Sequence, residues 1–95
     1  MTKISLSITR EDGPLWFDCV GHAGNREVCG MISTILNFLV VYMAERGHAP
    51  SVYEPGHLQF DLYMSDLHIN RVFRAVVTTL QELENQHPDN IKILY

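Results

Sequence analysis

The sequence predicts an α+β fold in the order ββαββαβ, a mostly antiparallel sheet with two helices packed on it. Three observations carry that prediction. Residues 3–10, 15–20 and 57–64 alternate apolar and polar side chains, the period of a half-buried strand. Two longer runs, about 29–46 and 66–86, are apolar all round or repeat apolar residues at helical spacing. Clusters of turn-forming residues separate the runs: Glu11-Asp12-Gly13-Pro14, Glu54-Pro55-Gly56 and His87-Pro88-Asp89-Asn90.

Taken in order, Ile4, Leu6 and Ile8 give the first strand its buried face, opposite Lys3, Ser5, Ser7 and Thr9. After the turn, Leu15, Phe17 and Cys19 share one face of the return strand and Trp16, Asp18 and Val20 the other, so the two strands form a hairpin. Residues 21–27 read as a loop. The first helix then runs from about Cys29 to Arg46, with Gly47 as its C-terminal stop. Met31, Ile32, Ile35, Leu36, Phe38, Leu39, Val40, Val41 and Tyr42 cover nearly its whole circumference. Such a helix has to be covered on more than one side. One cover is the sheet; the other is the second helix, a partner subunit, or both.

Residues 51–53 read as a short strand and 57–64 as a longer one, with Leu58, Phe60 and Leu62 on its apolar face. Ser65 is the expected N-cap of the second helix. Ile69, Val72, Phe73, Val76, Val77, Leu80 and Leu83 mark that helix's one apolar face. Residues 91–95 close the sheet. The chain has no repeat, low-complexity tract or linker, and residues 1–95 read as a single domain.

Composition narrows the function classes. The 95 residues are 46% hydrophobic, ordinary for a globular chain. The net charge of −4 argues against nucleic-acid binding, which needs a cationic face. The apolar stretch 28–44 is near the length of a membrane span, but Gly30, Ser33, Thr34 and Asn37 interrupt it and no Lys or Arg cluster flanks it. It reads as a buried helix, with no membrane partner. No signal-peptide pattern opens the chain, so the expected compartment is the cytoplasm, where Cys19 and Cys29 are expected as free thiols.

The chemistry lies in Gly21-His22-Ala23-Gly24, followed by Val28-Cys29-Gly30-Met31-Ile32-Ser33. An imidazole in a glycine-flanked turn is followed by a thiol at the start of a helix. Helix starts expose unpaired N–H groups and the positive end of the peptide dipoles, which favour thiolate. His22 as base and Cys29 as nucleophile are therefore the candidate catalytic pair. Gly30 leaves room for a substrate backbone, and N–H groups near Cys29 and Gly30 are candidate oxyanion donors. Glu27 reads as a dipole-favoured surface acid, or alternatively as a third group orienting His22. Cys19, beside Leu15 and Phe17, reads as core. Trp16 and Phe17 read as packing or as the wall of a peptide groove.

These same residues resemble a known family. The Gly-His-Ala-Gly turn, the Val28-Cys29 opening of a long apolar helix, Ser33 one turn on and the His87-Pro88-Asp89-Asn90-Ile91 break before a last strand are similar to the ribosomal-processing cysteine proteases of bacteria. The resemblance implies a homodimeric cysteine peptidase that trims the N-terminal extension of a large-subunit ribosomal protein. It implies His22 as general base, Cys29 as nucleophile, and Ser33 beside the thiol. The chain departs from the family in its link between histidine and cysteine. Only Asn25, Arg26 and Glu27 lie between Gly24 and Val28, fewer residues than the family has, and Arg26 stands where the family has aspartate.

No CxxC, HxxxH or HExxH spacing occurs, so neither a metal nor a cofactor is expected. His48, His57, His68 and His87 read as exposed. The alternative to an enzyme is a non-catalytic peptide-binding or assembly module on the same dimeric scaffold.

Overall fold

The computed structural model describes residues 1–9 and 11–95. The order is β1 (Thr2–Ile8), β2 (Gly13–Val20), α1 (Arg26–Glu45), β3 (Val52–Glu54), β4 (His57–Ser65), α2 (Leu67–Gln86) and β5 (Ile91–Leu94). This is the ββαββαβ order expected. Arg10, the expected end of the first strand, lies outside the described residues.

Among the described residues five strands form one sheet in the order β3-β4-β2-β1-β5. Every pairing is antiparallel except β1 with β5. Alternation decides which face is covered. Ile4, Leu15, Phe17, Cys19, Leu58, Phe60, Leu62, Ile91 and Ile93 are buried. They form one core with Val28, Ile32, Leu39 and Met43 of α1 and Ile69, Phe73, Val76, Val77, Leu80 and Leu83 of α2. Both helices thus pack on one face of the sheet. Phe73 is the hinge of that packing: its ring meets Phe17 edge-on at 5.6 Å and Phe60 at 5.5 Å, the arrangement aromatic quadrupoles favour. Lys3, Ser7, Asp61 and Lys92 stay exposed on the other face.

The helix starts differ from the sequence expectation. α1 begins at Arg26, not Cys29, because the Asn25 side chain caps it, accepting from the N–H groups of Glu27 (3.0 Å) and Val28 (3.2 Å). At α2 the cap is Asp66, not Ser65; its carboxylate accepts from Ile69 N–H at 2.8 Å. Ser65 is diverted into a buried polar cluster. Its hydroxyl lies 2.9 Å from the Gly13 carbonyl and 2.5 Å from Asn70 Oδ1, while the Asn70 amide donates to the Glu11 carbonyl and Thr9 Oγ1. Asn70 is fully buried, and such a group has to be satisfied internally. Pro14, which has no N–H, sits at the register shift between β2 and β4. Gly47, just past α1, has φ +85°, the left-handed stop expected of it.

By length and composition α1 could cross a membrane. Here it lies against the sheet with Val28, Ile32, Leu39 and Met43 buried.

Candidate functional site

The loop from β2 to α1 is built by glycines and cross-links. Gly21 has φ +97°, and a Cβ there would lie 2.5 Å from the Met1 carbonyl oxygen, so no other residue fits. Its N–H donates to the Gly56 carbonyl at 2.8 Å. Ala23 is buried; its carbonyl accepts from the Asn90 side chain at 2.9 Å. The loop is thus pinned to the β3–β4 turn on one side and to the start of β5 on the other. His22 lies between these pins, exposed, with its ring against Gly56. A Cβ at Gly56, where φ is +77°, would fall 2.9 Å from His22 Nε2.

Cys29 is the fourth residue of α1 and half-buried. The expectation of a thiol at the first helical position is thereby corrected: the Asn25 cap adds three residues in front of it. The Cys29 N–H already donates to the Asn25 carbonyl at 2.9 Å. It is closed inside the first helical turn and is not an open oxyanion donor. The sulfur accepts a hydrogen bond from Ala23 N–H at 3.2 Å. Among the described residues no hydrogen bond joins that sulfur to the His22 ring.

His22, Cys29 and Ser33 line one cavity of about 540 Å³. Cys19, Ile32, Leu36 and Leu58 give it apolar walls, and Tyr53, Pro55 and Gly56 of the β3–β4 turn close one side. Asn37 lines it as well. Cys29, Ser33 and Asn37 follow at four-residue steps, so they share one face of the helix. Glu27 and Gly30 do not join them. They line a separate groove between α1 and α2, with Met31, Ile35, Thr79, Glu82 and Leu83. Glu27 is exposed in the first turn, as a surface acid is, and on the face away from His22. A Cβ on Gly30 would meet nothing within 4 Å, so its lack of a side chain opens no space at the cavity.

Cys19 is buried in the core as expected, and burial, reinforced by neighbouring Asp18, pushes its thiol up to about 12. A thiol so held is inert packing beside the cavity. Phe17 is core and Trp16 half-buried; neither lines the cavity. His48, His57 and His87 differ from their expectation of exposure: all three are half-buried, and His57 Nε2 lies 2.7 Å from Asp18 Oδ1, whereas His68 is exposed as expected. Among the described residues no three His, Cys, Asp or Glu side chains converge as metal ligands would.

Sequence reasoning missed Asn25, Asn37 and Gly56. The first had a signal, an Asn ahead of an apolar helical run. Asn37 had one in its spacing from Cys29 and Ser33. Gly56 had none, because its contact with His22 joins residues 34 positions apart in the chain.

No family model matches the chain, and no curated protein matches it significantly. Solved structures match it over its whole length. Two of them are of an essential ribosomal processing protease, Prp, from S. aureus. The complex with a covalently linked product peptide is 20% identical, with a TM-score of 0.74, and the match covers 100% of this chain and 99% of that one. The complex with a substrate peptide is 17% identical, at the same TM-score and coverage. The fold implied by the sequence resemblance is the fold the chain has: it is that of the ribosomal processing protease Prp.

Proposed function

We propose that this chain is a cysteine peptidase with Cys29 as nucleophile and His22 as general base. The observation that carries the reading is that both side chains line one cavity, on a fold whose solved examples hold peptides, one of them covalently linked. His22 takes the Cys29 proton, and the sulfur attacks the substrate carbonyl carbon. A C–S bond forms, and the C–N bond breaks as the oxyanion collapses. The proton passes from His22 to the leaving amine. Water, giving its proton to His22, then attacks the thioester carbon; a C–O bond forms, the C–S bond breaks to release the acid, and His22 returns the proton to the sulfur. The ring and the sulfur must share a hydrogen bond for the first step, so substrate entry has to turn the ring, held in place against Gly56, toward the sulfur. With the Cys29 N–H closed in the helix, Ser33, one turn on at the cavity, is the side-chain donor for the oxyanion. Following the same likeness, the substrate is the N-terminal extension of a large-subunit ribosomal protein, and the enzyme works as a cytoplasmic homodimer.

The test is cleavage of peptides spanning such an extension, followed by mass spectrometry. Cys29→Ser is expected to abolish turnover, and His22→Ala to slow it by about 10²–10⁴-fold. Undiminished cleavage by Cys29→Ser would overturn the reading.

A second reading, peptide capture without turnover on the same scaffold, is favoured by the lack of a hydrogen bond between His22 and Cys29. It predicts binding of the same peptides by the wild-type chain and by Cys29→Ser with equal affinity, and no product from either.

A further inference from the structure

The β3–β4 turn carries side chains to both faces of the sheet. Gly56 borders the cavity and seats the His22 ring. The next residue, His57, opens β4 and also borders the cavity; its side chain points to the sheet face opposite that of buried Leu58, because successive residues of a strand point to opposite faces. There its Nε2 lies 2.7 Å from Asp18 Oδ1. Asp18 belongs to β2, the strand that leads directly into the His22 loop. Glu54 approaches His57 Nδ1 at 4.0 Å from β3. Lys3 is the charged group further along the row, opposite Val20, which is itself opposite His57. The His57 and Asp18 side chains keep only 30% and 20% of their exposure, so water competes less for this hydrogen bond than for one on the open surface.

We infer that His57 is a positioning residue for His22: its link to Asp18 fixes the β3–β4 turn to β2 on the open face of the sheet, and the turn holds Gly56 as the seat of the His22 ring on the cavity face. Gly21 N–H to the Gly56 carbonyl, at 2.8 Å, completes the connection. The turn, the histidine loop and the two strands behind them then move as one unit. Without the His57–Asp18 link, the Gly21–Gly56 hydrogen bond, the short β3–β4 pairing and the end of the β2–β4 ladder at Val20 and His57 hold the turn, and the ring's seat loosens. The consequence for rate rests on the peptidase reading above; the seating of the ring does not.

The experiment follows both. Ring signals of His22 are recorded by ¹H–¹³C NMR, and kcat and KM are measured on the extension peptide, for wild type, Asp18→Asn, His57→Gln and the double variant. Asp18→Asn keeps the size of the side chain, so it guards against a His57 variant that misfolds. Both single variants are expected to shift the His22 ring signals and lower kcat by about tenfold to a hundredfold, with KM within about twofold. The double variant is expected to be no worse than either single one, since both break one link. His57→Lys, which keeps a hydrogen-bond donor facing Asp18, is expected to recover most of the loss. Unmoved His22 signals in both single variants overturn the inference. So do moved signals with unchanged kcat in a wild type that turns over. If the wild type cleaves nothing, the peptidase reading fails, and the NMR result alone decides whether the seat depends on His57.

Discussion

α1 and α2 are each 20 residues long and pack side by side on the same sheet, yet they use their apolar residues differently. α2 buries Ile69, Asn70, Phe73, Val76, Val77, Leu80 and Leu83 and turns a polar face to solvent. α1 is the more apolar helix, yet it buries only Val28, Ile32, Leu39 and Met43. Met31, Phe38 and Val41 remain exposed on it, while Cys29, Ser33 and Asn37 face the cavity. α2 is thus accounted for by the stability of the chain that carries it. The surplus of α1 is not, and it serves a site on one side and leaves an apolar surface on another.

The comparison breaks first at Phe73. If α2 is the stabilising helix, Phe73→Ala is expected to cost about 3–5 kcal/mol, since the ring is fully buried and touches Phe17 and Phe60 at once. That is a large part of the stability of a domain this size, and urea denaturation followed by circular dichroism would show a much lower midpoint. A loss below about 1 kcal/mol would mean that α2 is not what holds the sheet.

The buried face of α2 was legible in the sequence, because burial follows the 3.6-residue period that its side chains display; α1, apolar nearly all round, showed no single face, and only Val28, Ile32, Leu39 and Met43 of it are buried. That His22 and Cys29 border one cavity follows from the single short loop that joins them. What was not legible depended on contacts distant in sequence or on which of two capable residues wins. Ser65 and Asp66 both suit an N-cap. The buried amide of Asn70 settles the choice by claiming Ser65. The start of α1 was placed at about Cys29, whereas Asn25 carries the helix back over Arg26, Glu27 and Val28. Nothing local in the sequence marks Gly56 as the neighbour of His22.

The two caps sharpen the contrast at a smaller scale. Asn25→Ala is expected to cost about 1 kcal/mol, and, by fraying the turn that presents Cys29, to change the rate at which iodoacetamide alkylates it. The Asp66 cap is a matter of stability alone and depends on pH. The Ile69 N–H, and after it Arg46, hold the Asp66 carboxyl below its ordinary 3.8. A carboxyl lowered by folding adds stability above its unfolded value and loses it as the pH falls through the folded one. Melting temperature is therefore expected to drop as pH falls below about 4, and by less in Asp66→Asn. An identical acid limb in that variant would assign the drop to other carboxylates.

The smallest effect on the folded chain is expected from Phe38→Ser, and it is the most telling about α1. Phe38 keeps 56% of its exposure and rests its ring on Tyr42, centroids 6.4 Å apart. Little apolar area is withdrawn from water there, so the stability of an isolated chain should change by no more than about 0.5 kcal/mol. A surface that a second copy covers gives a different result. The wild-type chain at tens of micromolar would scatter light as a dimer and Phe38→Ser as a monomer, and the melting temperature of the wild type alone would rise with concentration. If both chains scatter as monomers, the apolar surplus of α1 is matched to the cavity and its substrate, and the contrast between the helices lies within one chain. If both scatter as dimers, the copies meet through another face, and the exposed stripe of Met31, Phe38 and Val41 is not what joins them.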